Sequence, residues 1–495
     1  MPAYQSLESR FRRMALIGEA SAMLEWDHAA MMPEGGAAAR ADSLATLKVV
    51  SHELMTDPRL GELLDEAAGD NTLDDWQRAN LREMRRLRLH ATAVDADLVE
   101  ASSKAANDCE MVWRKARPAA DFKMLLPSLQ RVLDLARETA KAKAAVLGVP
   151  PYEALLDRFE PGGSSQRIDA VFDDYARFLP EFLESVLAHQ ERRPKPLIPT
   201  GPFPAEAQRR LGVELMARLG FDFQHGRLDV SLHPFCGGIP EDVRITTRYS
   251  EDDFTQGLMG VLHETGHALY EMGLPKTWRR QPVGEARGMA VHESQSLLIE
   301  MQACRGREFM AFAAPVIAKA FAAAGPAWEA DNLHRLYTKV ARSLIRVEAD
   351  EVTYPAHVIL RYRLEKAMIE GALQLADLPG AWNDGMRQLL GVAPPDDRLG
   401  CLQDIHWPAG VWGYFPTYTL GAMTAAQLFD AARGADAAIV PGLAKGDFAP
   451  LLAWLRTNVH GLGSKLSTDE LVTKATGRPL DAAIFKAHLK ARYLA

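Results

Sequence analysis

Residues Val261–Pro275 read VLHETGHALYEMGLP, and the spacing inside this stretch decides how the chain around it folds. His263 and His267 are four positions apart, so an α-helix puts both imidazoles on one face, one turn from each other. Phe254, Leu258, Val261, Leu262 and Leu269 supply the apolar faces of such a helix, and Gly273 with Pro275 ends it. The expected start is Ser250, with Ser250 and Asp253 as a capping-box-like pair. Two imidazoles one turn apart suit a single Zn2+ at about 2.0–2.1 Å. Glu264, beside the first of them, is placed to act as general base toward an attacking water.

A site of this kind needs a third protein ligand and one open position. Glu271 lies on the same helical face, but one straight helix cannot wrap three ligands around an ion. Glu285 falls in VGEAR, read as a loop. The next helical run is MAVHESQSLLIEMQ, and Glu293 stands near its start, 26 residues beyond His267. That gap fits a helix–loop–helix return, so Glu293 is the expected third ligand, with His292 as its rival and Glu300 behind both. The longer motif that adds a glycine and a third histidine is absent: Tyr270 and Gly273 occupy those positions.

Outward from this stretch the chain is mainly helical. LESRFRRMALIGEASAML, FDDYARFLPEFLESVLAH and LPSLQRVLDLARETAKAKAAVLG repeat apolar residues at spacings of three and four. The last stops at Gly148, with Pro150 and Pro151 just beyond. RRPKPLIPTGPFP, Arg192 to Pro204, reads as a connecting loop. RLDVSLHPF and DVRITTRY alternate and are rich in β-branched residues, separated by the turn-rich CGGIPE. They read as a small antiparallel pair leading into the motif helix.

The 495 residues carry a formal net charge of −8, with 47% hydrophobic and 25% charged residues. That balance gives no general attraction to nucleic acid or to an anionic membrane. No run is long and apolar enough to span a bilayer, and Glu19 and Glu25 interrupt the only apolar run near the N-terminus. Cys109, Cys236, Cys304 and Cys401 form no close pair, which fits buried reduced thiols and a cytoplasmic protein.

Further stretches now gain meaning: EWDHAAMMPEGG (25–36), HPF (233–235), DVRIT (242–246), HESQS (292–296), IRVEAD (345–350), GCLQDIHW (400–407) and FPTYTLG (415–421). With the motif helix, and in this order, they make the chain resemble, over nearly its whole length, metallopeptidase family 32, the metallocarboxypeptidases that include the thermostable Taq carboxypeptidase. The resemblance implies a mostly α, gluzincin-type fold with a deep substrate groove and a small antiparallel β element before the zinc helix. It implies one catalytic domain over residues 1–495, whose N-terminal helices, to about 120, act as a lid. It also implies Glu293 as third ligand, one Zn2+ per chain with Co2+ able to substitute, a homodimer, and peptide substrates with a free C-terminus. Cys236 departs from the family, in which threonine more often follows HPF.

Recognition of a terminal carboxylate calls for a buried arginine, whose planar fork pairs bidentately and stays charged. The resemblance selects Arg346 in IRVEAD and Arg244 in DVRIT; the plainer reading pairs them internally with Asp350 and Asp242. His406 and Tyr418 are the candidate donors to the oxyanion of the reaction, against plainer roles in packing. DEVTYPAHVILRYRLEKAMIEG reads as a long helix that Pro355 kinks or restarts, with His357 as a structural residue. The expected activity is release of amino acids one at a time from peptide C-termini, with broad specificity. Two other classes stand beside it: an endo-acting oligopeptidase with the same metal site, and a catalytically silent helical scaffold that binds peptides. An intact Glu264 speaks against the last, because a binding module has no use for a general base.

Overall fold

The computed structural model describes residues 2–495. The chain divides into two compact units, one built from Met1–Ala91, Lys195–Tyr337 and Thr424–Leu480, the other from Thr92–Pro194, Thr338–Met423 and Asp481–Ala495. Both are dominated by helices, and the first also holds a three-stranded sheet.

In the first unit, the N-terminal helices bury Tyr4, Leu7, Phe11, Leu60, Leu64 and Met84 against one another. The sheet comprises β1 (Gly226–Val230), β2 (Phe235–Ile239) and β3 (Asp242–Thr247), in the order β1-β3-β2. The antiparallel element expected before the motif helix is the β2–β3 hairpin. Its partners differ from the expected ones. The segment read as a turn, CGGIPE, is mostly strand, and β1 pairs with β3 in parallel, Leu228 opposite Ile245. Ile239 and Asp242 pair directly, so Pro240 and Glu241 make a two-residue turn. Gly238 makes that tight return possible: its φ is +85°, and a Cβ there would run into the Asp242 carbonyl.

The motif helix spans Phe254–Gly273. It begins four residues later than the expected Ser250, because Asp253 is the cap: its carboxylate accepts from the Thr255 amide at 2.8 Å and the Thr255 hydroxyl at 2.6 Å. One face, with Val261 and Ala268, packs on Val243 and Ile245 of β3, and on Met216 and Phe221. Burying each aliphatic side chain of this face is worth about 1.5–3 kcal/mol, which seats the helix on the sheet and leaves the histidine face turned elsewhere.

That face meets a second helix, Met289–Leu297, which runs on as a π-helical segment, Leu298–Cys304. The approach is close because Gly266 has no side chain. A Cβ there would stand 2.5 Å from the Gln295 carbonyl oxygen and 2.6 Å from Ser296 Cα.

In the second unit, Pro355 falls in the first turn of the helix Tyr354–Glu370 and starts it rather than kinking it. That helix is buried nearly throughout, His357 included.

Candidate metal centre

His263 and His267 project one turn apart from the motif helix, their rings 5.0 Å apart and nearly perpendicular. Glu293 comes from the second helix. Together they form the one group of three potential metal ligands among the described residues, with ligand atoms all within 4.8 Å of one another. Tetrahedral ligands about 2.0–2.1 Å from an ion stand about 3.3–3.4 Å apart. His267 Nε2 lies 3.6 Å from Glu293 Oε2, close to that spacing.

The other nitrogen of each ring is engaged. His263 Nδ1 lies 2.9 Å from Glu300 Oε2, and Arg305 donates to the other Glu300 oxygen at 2.5 Å. His267 Nδ1 lies 2.7 Å from His292 Nδ1, and His292 Nε2 lies 2.8 Å from Glu271 Oε1. Both rings therefore keep Nε2 for an ion. Two imidazoles and one carboxylate, with Glu264 adjacent and 8% exposed, fit a hydrolytic zinc site.

The electrostatics favour a cation. Burial alone would depress the His263 imidazole, but Glu300, Glu293 and Glu264 around it hold it up to about 10. Burial pushes the Glu264 carboxyl up to about 7; His263 opposes this and Glu293 adds to it. His267 is held well below its ordinary value by burial and by its histidine neighbours, and so stays neutral.

His292, the expected rival ligand, faces His267 and Glu271 and stands outside the group of three. Glu300 backs His263. Glu271 was legible as a residue of the histidine face, but nothing in its spacing pointed to His292. Cys236 lies opposite Ile245 in the β2–β3 hairpin. Burial, with Glu264 and Glu271 adding, holds its thiol well above the usual range.

The remaining candidates divide between the two units. Arg244 is on β3 in the first unit, and its Nε and Nη2 donate to the two oxygens of Asp242 at 3.0 and 2.7 Å. Its guanidinium lies 4.4 Å from the centre of the Trp26 ring, and the arginine–aspartate pair is neutral. Arg346, His406 and Tyr418 lie in the second unit. Arg346 does not pair with Asp350, which instead accepts from the backbone amides of Ala341, Val352 and Thr353. It donates to Asp404 from Nε at 3.0 Å and Nη2 at 2.9 Å. Arg361, fully buried, donates to the second Asp404 oxygen at 2.5 Å.

Two guanidiniums share one carboxylate here, so the cluster carries a surplus positive charge. Burial opposes ionisation of Asp404, but Arg361 and Arg346 outweigh it and hold the carboxyl well below its ordinary range. Neither Arg361 nor the role of Asp404 was legible, since nothing in the sequence places them beside Arg346. His406 Nε2 lies 3.2 Å from the Tyr418 hydroxyl. Burial pushes this imidazole down to about 4, against the pull of Asp404. It is neutral and able to take part in hydrogen bonding without adding charge.

Comparison with known proteins follows the same lines. Residues 6–493 match the family model of the carboxypeptidase Taq (M32) metallopeptidases. The thermostable carboxypeptidase 1 of Thermus thermophilus is 40% identical, over 100% of this chain and 98% of its own. Carboxypeptidase 1 of Bacillus subtilis is 33% identical, over 97% of this chain and 96% of its own. Among solved structures, Trypanosoma cruzi metallocarboxypeptidase 1 superposes with a TM-score of 0.97 at 41% identity, covering 100% of this chain and 99% of that one. A Pyrococcus furiosus carboxypeptidase superposes with a TM-score of 0.95 at 32% identity, covering 100% and 99%.

Proposed function

This chain belongs to the carboxypeptidase Taq (M32) family of metallopeptidases and is a metal-dependent carboxypeptidase, and from that premise we propose that it releases amino acids one at a time from free peptide C-termini, with one Zn2+ held by His263, His267 and Glu293. The observation that carries this reading is the convergence of those three side chains, with Glu264 beside them. The donor set supports Zn2+, and Co2+ suits the same nitrogen and oxygen donors. When bound, the ion supplies Lewis-acid polarisation of the scissile carbonyl and makes water more acidic.

The protein's own residues do the rest. Glu264 takes the proton of the attacking water on its carboxylate and delivers it to the leaving amine. Burial raises the Glu264 carboxyl above the ordinary carboxylate range, which suits a group that must both take and release that proton. Arg346 pairs with the terminal carboxylate of the substrate; the surplus positive charge of its cluster supports this. Arg244 is the second candidate, since Asp242 already neutralises it. His406 and Tyr418 are the candidate donors to the developing oxyanion: with His406 Nε2–H donating to the Tyr418 oxygen, the phenol keeps its own hydrogen for that role.

The whole chain, residues 1–495, acts as one catalytic domain, with the helices up to about residue 120 as its lid. A homodimer in the cytoplasm is carried over from the family resemblance. Four unpaired thiols suit a reducing compartment, and a measurement of mass in solution tests the dimer.

The test of the activity is a Zn2+-titrated digestion of one mixed-sequence peptide, free or amidated at its C-terminus, followed by mass over time. A ladder shortening from the free C-terminus, with the amidated form resistant, is expected. Internal fragments from both forms would replace this reading with an endo-acting oligopeptidase.

A further inference from the structure

His292 stands next to Glu293 in the chain and within hydrogen-bond distance of a ligand, yet it is not itself one of the three. Its two nitrogens have two different partners, His267 Nδ1 at 2.7 Å and Glu271 Oε1 at 2.8 Å. With a neutral imidazole and an ionised carboxylate, these contacts decide where the hydrogens lie. A neutral imidazole has one N–H and one lone pair, and an ionised carboxylate only accepts. His292 therefore carries its hydrogen on Nε2 and gives it to Glu271. Its Nδ1 is then a lone pair, and His267 donates to it from Nδ1. With the hydrogen on Nδ1, His267 Nε2 is left as a lone pair on the side of Glu293, 3.6 Å away. The opposite placement on His292 sets a hydrogen against His267 Nδ1 and forces the hydrogen of His267 onto Nε2, where a metal ligand cannot have one.

We propose that Glu271 and His292 form a two-residue relay that fixes the tautomer and the ring orientation of His267, and that both are positioning residues rather than ligands. This rests on the reading of His263, His267 and Glu293 as the ligand set. The two imidazoles are served differently, and the geometry gives the reason. His263 meets a carboxylate directly, because Glu300 reaches it from the neighbouring π-helical segment and is itself held by Arg305. His267 has its carboxylate, Glu271, one turn further along its own helix, and the imidazole of His292 spans the gap. The ring of His292 also packs against Tyr270, centre to centre 5.4 Å, and Tyr270 is packed in turn on His460 at 5.2 Å.

The test uses the full chain and four variants: His292→Phe, which keeps a ring against Tyr270; Glu271→Leu; Glu271→Gln; and the double variant His292→Phe with Glu271→Leu. Zn2+ affinity is read by competition with a chromophoric chelator. The histidine tautomers of the metal-free protein are read by long-range proton–nitrogen NMR on 15N-histidine samples. Loss of such a partner weakens metal binding about 10- to 100-fold, so His292→Phe and Glu271→Leu are each expected to fall in that range. Because the two act in series, the double variant is expected to bind no more weakly than the worse single one. Glu271→Gln keeps an acceptor oxygen and is expected within about threefold of the parent. The NMR signature expected is a hydrogen on Nδ1 of His267, lost in Glu271→Leu.

Undiminished affinity in both single variants, losses that multiply in the double variant, or a hydrogen on Nε2 of His267 in the parent would each overturn the relay. Glu293→Ala separates this from failure of the ligand reading. If Glu293→Ala loses Zn2+ while His292→Phe keeps it, only the relay falls; if Glu293→Ala keeps Zn2+, the ligand set itself is wrong.

Discussion

Replacing Arg346 by alanine separates a substrate contact from a structural ion pair, because the cluster around it is asymmetric in charge. Arg346 and Arg361 both donate to Asp404. Breaking a buried pair usually costs about 3–5 kcal/mol, because a charge is left unpaired. Arg346→Ala leaves none: Asp404 keeps Arg361, and the cluster goes from a surplus positive charge to neutrality. What the fold loses is the two hydrogen bonds to one Asp404 oxygen, the stacking of the guanidinium on Tyr418, 4.8 Å from the ring centre, and the outer contact with Phe415. The expected loss of stability is therefore about 2–3 kcal/mol, smaller than for a variant that strands a buried charge.

The substrate loses a charge pair from the same change. Truncating a desolvated, hydrogen-bonded charge pair costs about 2–5 kcal/mol, which at 1.36 kcal/mol per tenfold is about 30- to 5,000-fold in kcat/KM. The loss should fall on peptides with a free C-terminus and spare amidated ones, with bound Zn2+ unchanged. Arg346→Lys should rescue only in part, since an ammonium lacks the fork. Asp404→Asn is the stability control: it leaves two buried guanidiniums facing each other and should lower the melting temperature well beyond Arg346→Ala. The assay is steady-state hydrolysis of matched free and amidated peptides beside thermal melts. Equal losses on both peptide forms, or unfolding of Arg346→Ala, would refute the reasoning and make Arg244 the next clamp to test.

Glu264→Gln is expected to keep Zn2+ and lose about 10²- to 10⁴-fold in turnover; near-normal hydrolysis by the metal-loaded variant rules out the general-base role. Glu293→Ala should lose Zn2+ on dialysis together with activity, and by more than His292→Phe; metal analysis decides it. Gly266→Ala puts a methyl group into the Gln295 backbone and should cost about 1–3 kcal/mol of stability. It also moves His267 away from Glu293, so a variant with unchanged melting and unchanged Zn2+ affinity contradicts the close-approach argument.

The fifth expectation concerns pH. Glu365 is fully buried and accepts from Tyr152, Trp407 and the Gly413 amide, yet burial outweighs these donors and pushes its carboxyl from 4.5 to about 7. Its folded value is raised, so the fold holds this proton more tightly than the unfolded chain does. Stability from this group is thus full below about pH 4.5 and declines as pH rises to about 7, by about 3 kcal/mol in all. Urea unfolding of the parent and Glu365→Gln at pH 5 and 7.5 should show the parent losing more across that interval; parallel losses would exclude it.

What the sequence determined by itself was local. Helical periodicity put His263 and His267 on one face, and Gly148 ended a helix in the left-handed conformation it alone adopts without strain. These features follow from the geometry of neighbours a few residues apart, which the chain carries wherever it goes. The separation of 26 residues also brought Glu293 within reach as a third ligand, because a helix, a turn and a helix return have a narrow range of lengths. Only the tertiary structure decided which of His292, Glu293 and Glu300 meets the histidines and in what capacity. All three lie on one stretch of helix, and their roles depend on how far that helix rotates and how closely it comes. Gly266 sets the approach and the π-helical segment carries the Glu300 that meets His263, and both are effects of packing. The same holds for β1, whose parallel partner β3 follows β2 in the chain, and for Arg346, which passes over the nearby Asp350 to share Asp404 with Arg361. A buried charge takes the partner that packing presents to it, and sequence distance carries no record of that choice.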